Sequence, residues 1–539
     1  QCTNGGPLAL ACFLGVTRGQ RLAVLATTPS HVLDSDAQTI AALAAAWHPD
    51  PTLTCLRWHD LLGRHAIGIR FFRALETHVA DISHAWPARV SNDDRRTLAL
   101  IHVARLLFLK FLEAKGWLDD DRAFLANRTE STLATGGRLW HRLLAPLTFG
   151  TLNTPRHQRA PVARAFGAIP FLNGGLFACS AIERRARQPA MHDEHLGALI
   201  LDTLARYRFT AREDATSWSE AAIDPDLLGR TFEALMDADQ RRGSGTFYTP
   251  ATLVSTLVDD ALRHTLQQRT SLAPDTIRDA LAARPLHAHD ARLLRDALHD
   301  FRLLDPACGS GSLLVATLER LADLHHHLGD HRPVADIRRH LLTHSIFGVD
   351  IAPMAVWLCE LRLWLCIVID DSSTTPSDVQ PLPNLDHHIR LGDALGSDAF
   401  DTAAPPASRR IAAIREHYAR STGARKRIAA ARIESAERLG ARQLALRTIT
   451  ALQHERAGLL HLARRQTLFG TRHGLDATQR RRLATLRTLL LQTRRTLRRL
   501  EDGGAVDFDF RTHFGDAGAA GGFDLVIGNP PWVRSRHLD

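Results

Sequence analysis

At 539 residues, 45% apolar and 23% charged, the chain suits roughly two to four globular domains and falls outside the disordered and fibrous classes. It has no apolar run of transmembrane length and no basic–apolar signal segment, and its seven scattered cysteines form no CxxC pair; a reducing cytoplasm is expected, without a membrane span, disulfide framework or metal site. The net charge of +9 is uneven: residues 409–500 hold 23 Lys/Arg against 5 Asp/Glu, a local +18 that leaves −9 elsewhere, so bulk attraction for a polyanion belongs to that segment.

Taken in order, Arg21–Thr27 reads as a strand and residues 37–47 as an alanine-rich helix. From Ile67 to about Leu125 the pattern is helical, with Gly116 stopping the helix that carries Leu106, Leu107, Phe111 and Leu112. Pro49-Asp50 and Glu113-Ala114-Lys115 superficially match a PD…ExK nuclease site. Glu113 and Lys115 fall on a helix rather than on adjacent strands, so a solvated helix end is the expectation there. Phe171–Phe177 is a glycine turn on a core. Leu227–Leu235 reads as an amphipathic helix running into Gly243-Ser244-Gly245-Thr246-Phe247-Tyr248-Thr249-Pro250, an arm that delivers aromatic and hydroxyl groups to a helix start. The helix that Pro250 opens is expected to carry Leu253, Leu257 and Val258 on one face.

The strongest local signal follows. Phe301–Leu304 is a short strand, Asp305-Pro306-Ala307-Cys308-Gly309-Ser310-Gly311-Ser312 a glycine turn, and Leu313–Leu328 a helix. Such a unit lets backbone approach a nucleotide-like ligand, but with no lysine after the glycines it is not a phosphate-gripping P-loop. A second strand, Ser345–Val349, ends in Asp350, placed for the hydroxyls of a ribose; a third, His388–Leu391, ends at Gly392-Asp393. Three strands ending in Asp305, Asp350 and Asp393, joined by crossover helices, make a parallel α/β sheet with one polar edge. His325-His326-His327 reads as a solvated helix end and His387-His388 as a loop and strand edge.

Residues 406–503 read as two or three packed helices broken near Gly470 and Gly474, with Leu483, Leu486, Leu490, Leu497 and Leu500 on one face. Their arginines form either a solvated face or a phosphate-tracking arm. Finally, Phe523–Ile527 reads as a buried strand ended by Gly528-Asn529-Pro530-Pro531-Trp532. The prolines cannot continue a ladder, so an amide and an indole are projected at the carboxyl edge of the sheet. With no initiator Met and only seven residues after Trp532, the chain reads as a fragment.

With the Phe247-Tyr248-Thr249-Pro250 arm, the Asp305–Gly311 turn and Asn529-Pro530-Pro531-Trp532 in that order, the sequence resembles the γ-class adenine-N6 DNA methyltransferases, and more closely the large type IIG restriction–modification and BREX-like phage-defence enzymes. The resemblance implies a Rossmann-like fold that uses S-adenosylmethionine (SAM), with a mainly helical N-terminal domain (1–240), a SAM-binding part (241–405), a basic helical insertion (406–503) and a catalytic strand and turn (504–539). It implies that Gly309 and Gly311 approach the methionine part of SAM beside Asp305 and Ala307, and that Phe247, Tyr248 and Thr249 close over it. Asp350 and Ile351 would take the nucleoside and Asp393 the adenine amine. A target adenine flipped from double-stranded DNA would stack on Trp532, with its amine held by Asn529 and Pro530 and the turn stiffened by Pro531. Direct transfer needs no covalent intermediate, consistent with Cys308 as the only cysteine expected near the site. Restriction or defence subunits are the implied protein partners. Two readings stay beside this one: a methyltransferase for RNA adenine or protein glutamine, and a non-catalytic DNA-binding subunit working through residues 406–503.

Overall fold

The computed structural model describes residues 8–16, 19–27, 32–62, 64–173, 175–186, 193–210, 218–220, 222–223, 251–396, 410–464 and 474–530. Phe247, Tyr248, Thr249, Pro531 and Trp532 therefore lie outside the described residues, as does the expected helix Leu227–Leu235.

The N-terminal part begins with β1 (Leu8–Val16) antiparallel to β2 (Gly19–Thr27), and β3 (Trp218–Glu220) adds in parallel to β2. Helices of eight or more residues follow as α1 (Asp34–Ala45), α2 (Pro51–Leu62), α3 (Arg64–His84), α4 (Asn92–Ala114) and α5 (Phe124–Ala134). Central among them is α4. Its first turn is capped by the Ser91 side chain, which accepts the Asp94 N–H, and Asp93 and Asp94 favour the positive end of the helix. Every side chain from Leu98 to Glu113 is buried, so the helix is wrapped on all sides, and Gly116 turns the chain away at φ +78°. Burial on this scale forces its polar groups to pair: Arg105 meets Glu183 and donates to the carbonyls of Leu176 and Ala178.

That packing corrects the expectation of a solvated helix end at Glu113 and Lys115. Glu113 is buried, accepts from Lys110 and from the Leu125 N–H, and Lys115 donates to the carbonyls of Ile369 and Asp371. These groups join two parts of the core. Among the described residues no three His, Cys, Asp or Glu side chains converge as a metal cluster would require.

The second sheet is fully parallel, in the order β6 (Ile389–Leu391), β5 (Ile346–Asp350), β4 (Leu303–Asp305), β7 (Leu525–Val526). It is reached through α6 (Ala251–Thr270), α7 (Pro274–Leu281) and α8 (Ala288–Leu298); α9 (Ser312–His327), α10 (Val334–His344) and α11 (Pro353–Asp370) carry the crossovers. Strand alternation sorts the core. Leu303, Ile346, Leu525 and Ile527 join the large cluster that runs from Cys12 through α4, α9 and α11, whereas Leu304, Phe347 and Val349 face Phe510, Phe514 and Ala517. Both faces are thus covered in part, but Val526 is 59% exposed, so β7 is half-buried rather than the buried strand expected.

Two further expectations are corrected by packing. On α6 the buried row is Val254, Val258, Leu262 and Leu266, while Leu253 and Leu257 are exposed; the longer apolar row, with a continuous i, i+4 spacing, takes the core. His387 and His388 lie in the turn that leads into β6, as expected, and are buried there, with the His388 ring bonded to the Thr343 carbonyl. His325 is half-buried toward Asp330 rather than fully solvated.

The basic segment forms α12 (Ile411–Ala419), α13 (Gly423–Arg464) and α14 (Ala477–Glu501). Ion pairs Arg442–Glu501 and Arg482–Glu455 give α13 and α14 an antiparallel register. Leu486, Leu490 and Leu500 are buried on α14, with Leu483 and Leu497 half-buried beside them, a heptad seam against α13. No described helix is long and apolar enough to cross a membrane.

Candidate active site

The polar edge of the parallel sheet gathers the turn after β4, the acid ending β5, the loop after β6 and the turn after β7. Asp305 ends β4 at 1% exposure and accepts the Ala307 N–H at 3.0 Å. Burial pushes its carboxyl up to about 7; the Ala307 bond opposes the rise and the nearby Asp350 charge adds to it. The chain then turns through Gly309 (φ +54°) and Gly311 (φ +85°), conformations that cost a side-chain-bearing residue roughly 1–2 kcal/mol.

The two glycines differ in what surrounds them. A Cβ on Gly309 would meet nothing within 4 Å, so this backbone faces open space. A Cβ on Gly311 would stand 2.6 Å from Cys359 Sγ, so this glycine is required by close packing of α9 on α11. Cys359 is thus a second cysteine beside the turn, which corrects the expectation that Cys308 stands alone there. The hydrogen bond with Cys359 and burial push the Cys308 thiol well above its ordinary value, so neither geometry nor protonation suits it as a nucleophile.

Asp350 ends β5 and holds the turn in place. One carboxylate oxygen accepts the Gly309 N–H at 2.8 Å and the other the Ala352 N–H at 2.8 Å, while the Cys308 N–H bonds the Val349 carbonyl. Ile351, the next residue, is 68% exposed. The Asp350 carbonyl accepts the Gly392 N–H, which ties the end of β6 to the same edge; Asp393 follows, exposed, with one carboxylate oxygen on the Leu395 N–H. Pro353 opens α11 immediately beyond.

On the other side of β4, the Ile527 N–H bonds the Leu304 carbonyl and the chain continues to Gly528, Asn529 and Pro530. A Cβ on Gly528 would lie 3.2 Å from the Asp305 carboxylate and 3.3 Å from the Pro306 ring. The Asn529 turn is therefore packed directly against the start of the glycine turn. Asp524, just before β7, accepts the Arg302 N–H and pairs with Arg269 of α6, fixing the strand that leads into it.

One supporting group was not foreseen from sequence. Arg362, 7% exposed on α11, donates to the Ser310 carbonyl at 3.3 Å, to Ser310 Oγ at 3.1 Å and to Ser312 Oγ at 2.9 Å. The signal was a cation inside the apolar run Leu358–Leu365, where an unpaired charge would be costly. A cavity of about 810 Å³ opens nearby, between Trp357, Glu360, Arg390, Glu437 and Phe508. It lies beyond β6, and neither Gly309 nor Asp350 lines it.

Comparison with known proteins places this edge in a family context. Residues 344–539 match the family described as Eco57I restriction-modification methylase, and residues 282–404 match N-6 DNA Methylase. Over 337 residues the chain is 29% identical to a Methanocaldococcus jannaschii protein named "Putative type II restriction enzyme and methyltransferase RM.MjaORFECS2P"; the match covers 57% of this chain and 28% of that protein. The chain thus spans little more than a quarter of that curated relative. Among solved structures, the type IIL restriction-modification enzyme MmeI in complex with DNA aligns at 20% identity and a TM-score of 0.42, covering 61% of this chain and 40% of MmeI. A modification subunit of a putative type I restriction enzyme from Vibrio vulnificus YJ016 aligns at 17% identity and 0.26, covering 56% and 54%.

Proposed function

We propose, from the similarity of residues 282–404 to N-6 DNA Methylase and of residues 344–539 to Eco57I restriction-modification methylase, that the protein methylates the N6 amine of adenine in double-stranded DNA with SAM as donor. The observation that carries this reading is the contact of Gly528 with Asp305 and Pro306. It brings an amide-bearing turn on one strand against a glycine turn on its neighbour, the proximity that transfer between two bound molecules requires. The four parallel strands are then part of a Rossmann-like methyltransferase sheet, with residues 1–240 as an N-terminal domain, 241–405 as the SAM-binding part, 406–503 as an insertion and 504–539 as the catalytic strand and turn.

The residues present fit such a donor. The open side of Gly309 leaves room beside Asp350, whose carboxylate offers about four lone-pair sites and has two backbone N–H groups on it. In this reading Asp350 takes the ribose hydroxyls and Ile351 flanks the base, whose amine Asp393 accepts. Asp305, Ala307, Gly309 and Gly311 border the methionine part, and Phe247, Tyr248 and Thr249 cover it. When bound, SAM supplies a methyl group on a positively charged sulfur.

The chain's own work is then positioning. The target base leaves the duplex and stacks on Trp532. The Asn529 side-chain oxygen and the Pro530 carbonyl accept the two N6 hydrogens, which aims the nitrogen lone pair at the donor. The proton that N6 gives up passes to solvent. The buried, protonated Cys308 takes no part. Restriction or defence subunits are the expected partners. Calorimetry of the intact protein with SAM tests the reading: one molar equivalent of binding is expected, and no heat at millimolar SAM would contradict it.

A further inference from the structure

The helical hairpin α13–α14 has a surface that the methyl-transfer site does not use. Together the two helices carry 17 Lys/Arg and 4 Glu. On α14 the arginines are sorted by direction. At 3.6 residues per turn, Arg480, Arg481, Arg487, Arg494, Arg495, Arg498 and Arg499 fall within a sector of about 140°, while the eighth, Arg482, points elsewhere and pairs with Glu455. The flank beside this sector is uncharged: Thr485, Leu489, Gln492 and Thr496. Solubility alone would spread charge over both flanks; this arrangement leaves one flank without it.

Within the basic sector, Arg480, Arg487, Arg494 and Arg498 line one stripe and are exposed. Arg499 pairs with Asp507, but among the described residues Arg487, Arg494 and Arg498 meet no carboxylate. The stripe runs roughly 27 Å at 1.5 Å per residue, about the axial rise of eight base pairs at 3.4 Å each.

The hairpin is rooted on β6, the strand whose loop carries Asp393 and the one farthest in the sheet from the Asn529 turn. Glu437 of α13 pairs with Arg390 of β6, and Arg415 of α12 is buried in a pair with Asp516. Phe508, which follows α14, packs on Gly392 at the carboxyl end of β6, the strand whose loop carries Asp393. The Phe508 contact ties the base of the arm to the carboxyl end of β6, while the Arg415–Asp516 pair anchors it toward the start of β4, where Arg302 reaches the Asp516 carbonyl.

We infer that the arginine stripe of α14 is a phosphate-tracking surface that holds duplex DNA flanking the target base, independently of its sequence. This rests on the proposed DNA substrate and assigns a second DNA contact to it. Each phosphate neutralised should add about 0.9 to the slope of log affinity against log salt.

The test uses the intact protein, a fluorescein-labelled 30-base-pair duplex without a designed target, and anisotropy titrations between 50 and 200 mM KCl. Wild type is compared with Arg487→Gln/Arg494→Gln/Arg498→Gln and with the triple Lys variant, and SAM binding is measured on each by calorimetry. The Gln variant should bind more weakly with a slope shallower by about 2.7, so that wild type loses about 40-fold more affinity across that salt range. The Lys variant should restore most of the slope, and SAM affinity should stay the same in all three. Equal slopes for wild type and the Gln variant would overturn the inference, as would tighter binding of a single-stranded RNA of equal length than of the duplex. If wild type binds no SAM while the slopes differ as stated, the methyl-transfer reading fails and the arm stands.

Discussion

The Asp350 carboxylate accepts the Gly309 N–H at 2.8 Å, so the acid that ends β5 holds the backbone of the turn that leaves β4. A ligand lying across that edge would meet both at once. Replacing Asp350 with Ala removes the acceptor for Gly309 and for Ala352 together with the charge. Hydrogen bonds to an ionised group contribute roughly 1.5–3 kcal/mol, so SAM affinity should fall about 10- to 100-fold by calorimetry. An unchanged Kd would mean that Asp350 serves the turn and not the ligand.

Gly309 and Gly311 should separate stability from binding. Gly311→Ala meets a left-handed φ and a sulfur at 2.6 Å, whereas Gly309→Ala meets only the φ. We expect Gly311→Ala to cost about 2–4 kcal/mol, combining left-handed strain with overpacking, and Gly309→Ala about 1–2 kcal/mol. Because the added methyl of Gly309→Ala enters the open space, it should weaken SAM binding more than its effect on Tm suggests. Thermal melts and calorimetry on both variants check the ordering; equal melting temperatures would refute the packing role of Gly311.

Asp305 gives the fold a pH dependence of definite sign. Burial lifts its carboxyl from 3.8 to about 7, so between those values the folded chain keeps a proton that the unfolded chain has lost. Its contribution is therefore most favourable below about pH 4, declines through pH 4–7 and is flat above. The span corresponds to an order of 4 kcal/mol at 1.36 kcal/mol per unit. Urea denaturation of wild type and Asp305→Asn at pH 4.5, 6 and 7.5 should show the variant gaining on wild type as pH rises. Parallel curves would rule out the raised carboxyl.

Much of this edge is legible from sequence because its strands are short and β4 and β5 are apolar runs that end in an aspartate. Leu303–Asp305, Ile346–Asp350 and Ile389–Leu391 fall within a residue or two of expectation, and the seam on α14 follows its leucines. What was missed depends on neighbours distant in the chain. Glu113 and Lys115 look like a helix end in solvent until the carbonyls of Ile369 and Asp371 close over the lysine. Cys359 reaches Gly311 only because α11 crosses α9, and Arg362 reaches Ser310 by the same crossing. Leu253 and Val254 are equally apolar, and the longer row that Val254 shares with Val258, Leu262 and Leu266 decides which is buried. Periodicity describes one element at a time, while these contacts belong to pairs of elements.

The central claim is that the turn after β7 presents Asn529 to an adenine amine. The most direct measurement is N6-methyladenine, quantified by mass spectrometry of DNA treated with the intact protein and isotopically labelled SAM, for wild type and Asn529→Ala. The account predicts labelled N6-methyladenine with wild type and at least a 100-fold loss with the variant, equivalent to about 2.7 kcal/mol or more of transition-state stabilisation, with SAM affinity unchanged. Undiminished methylation by Asn529→Ala would contradict it.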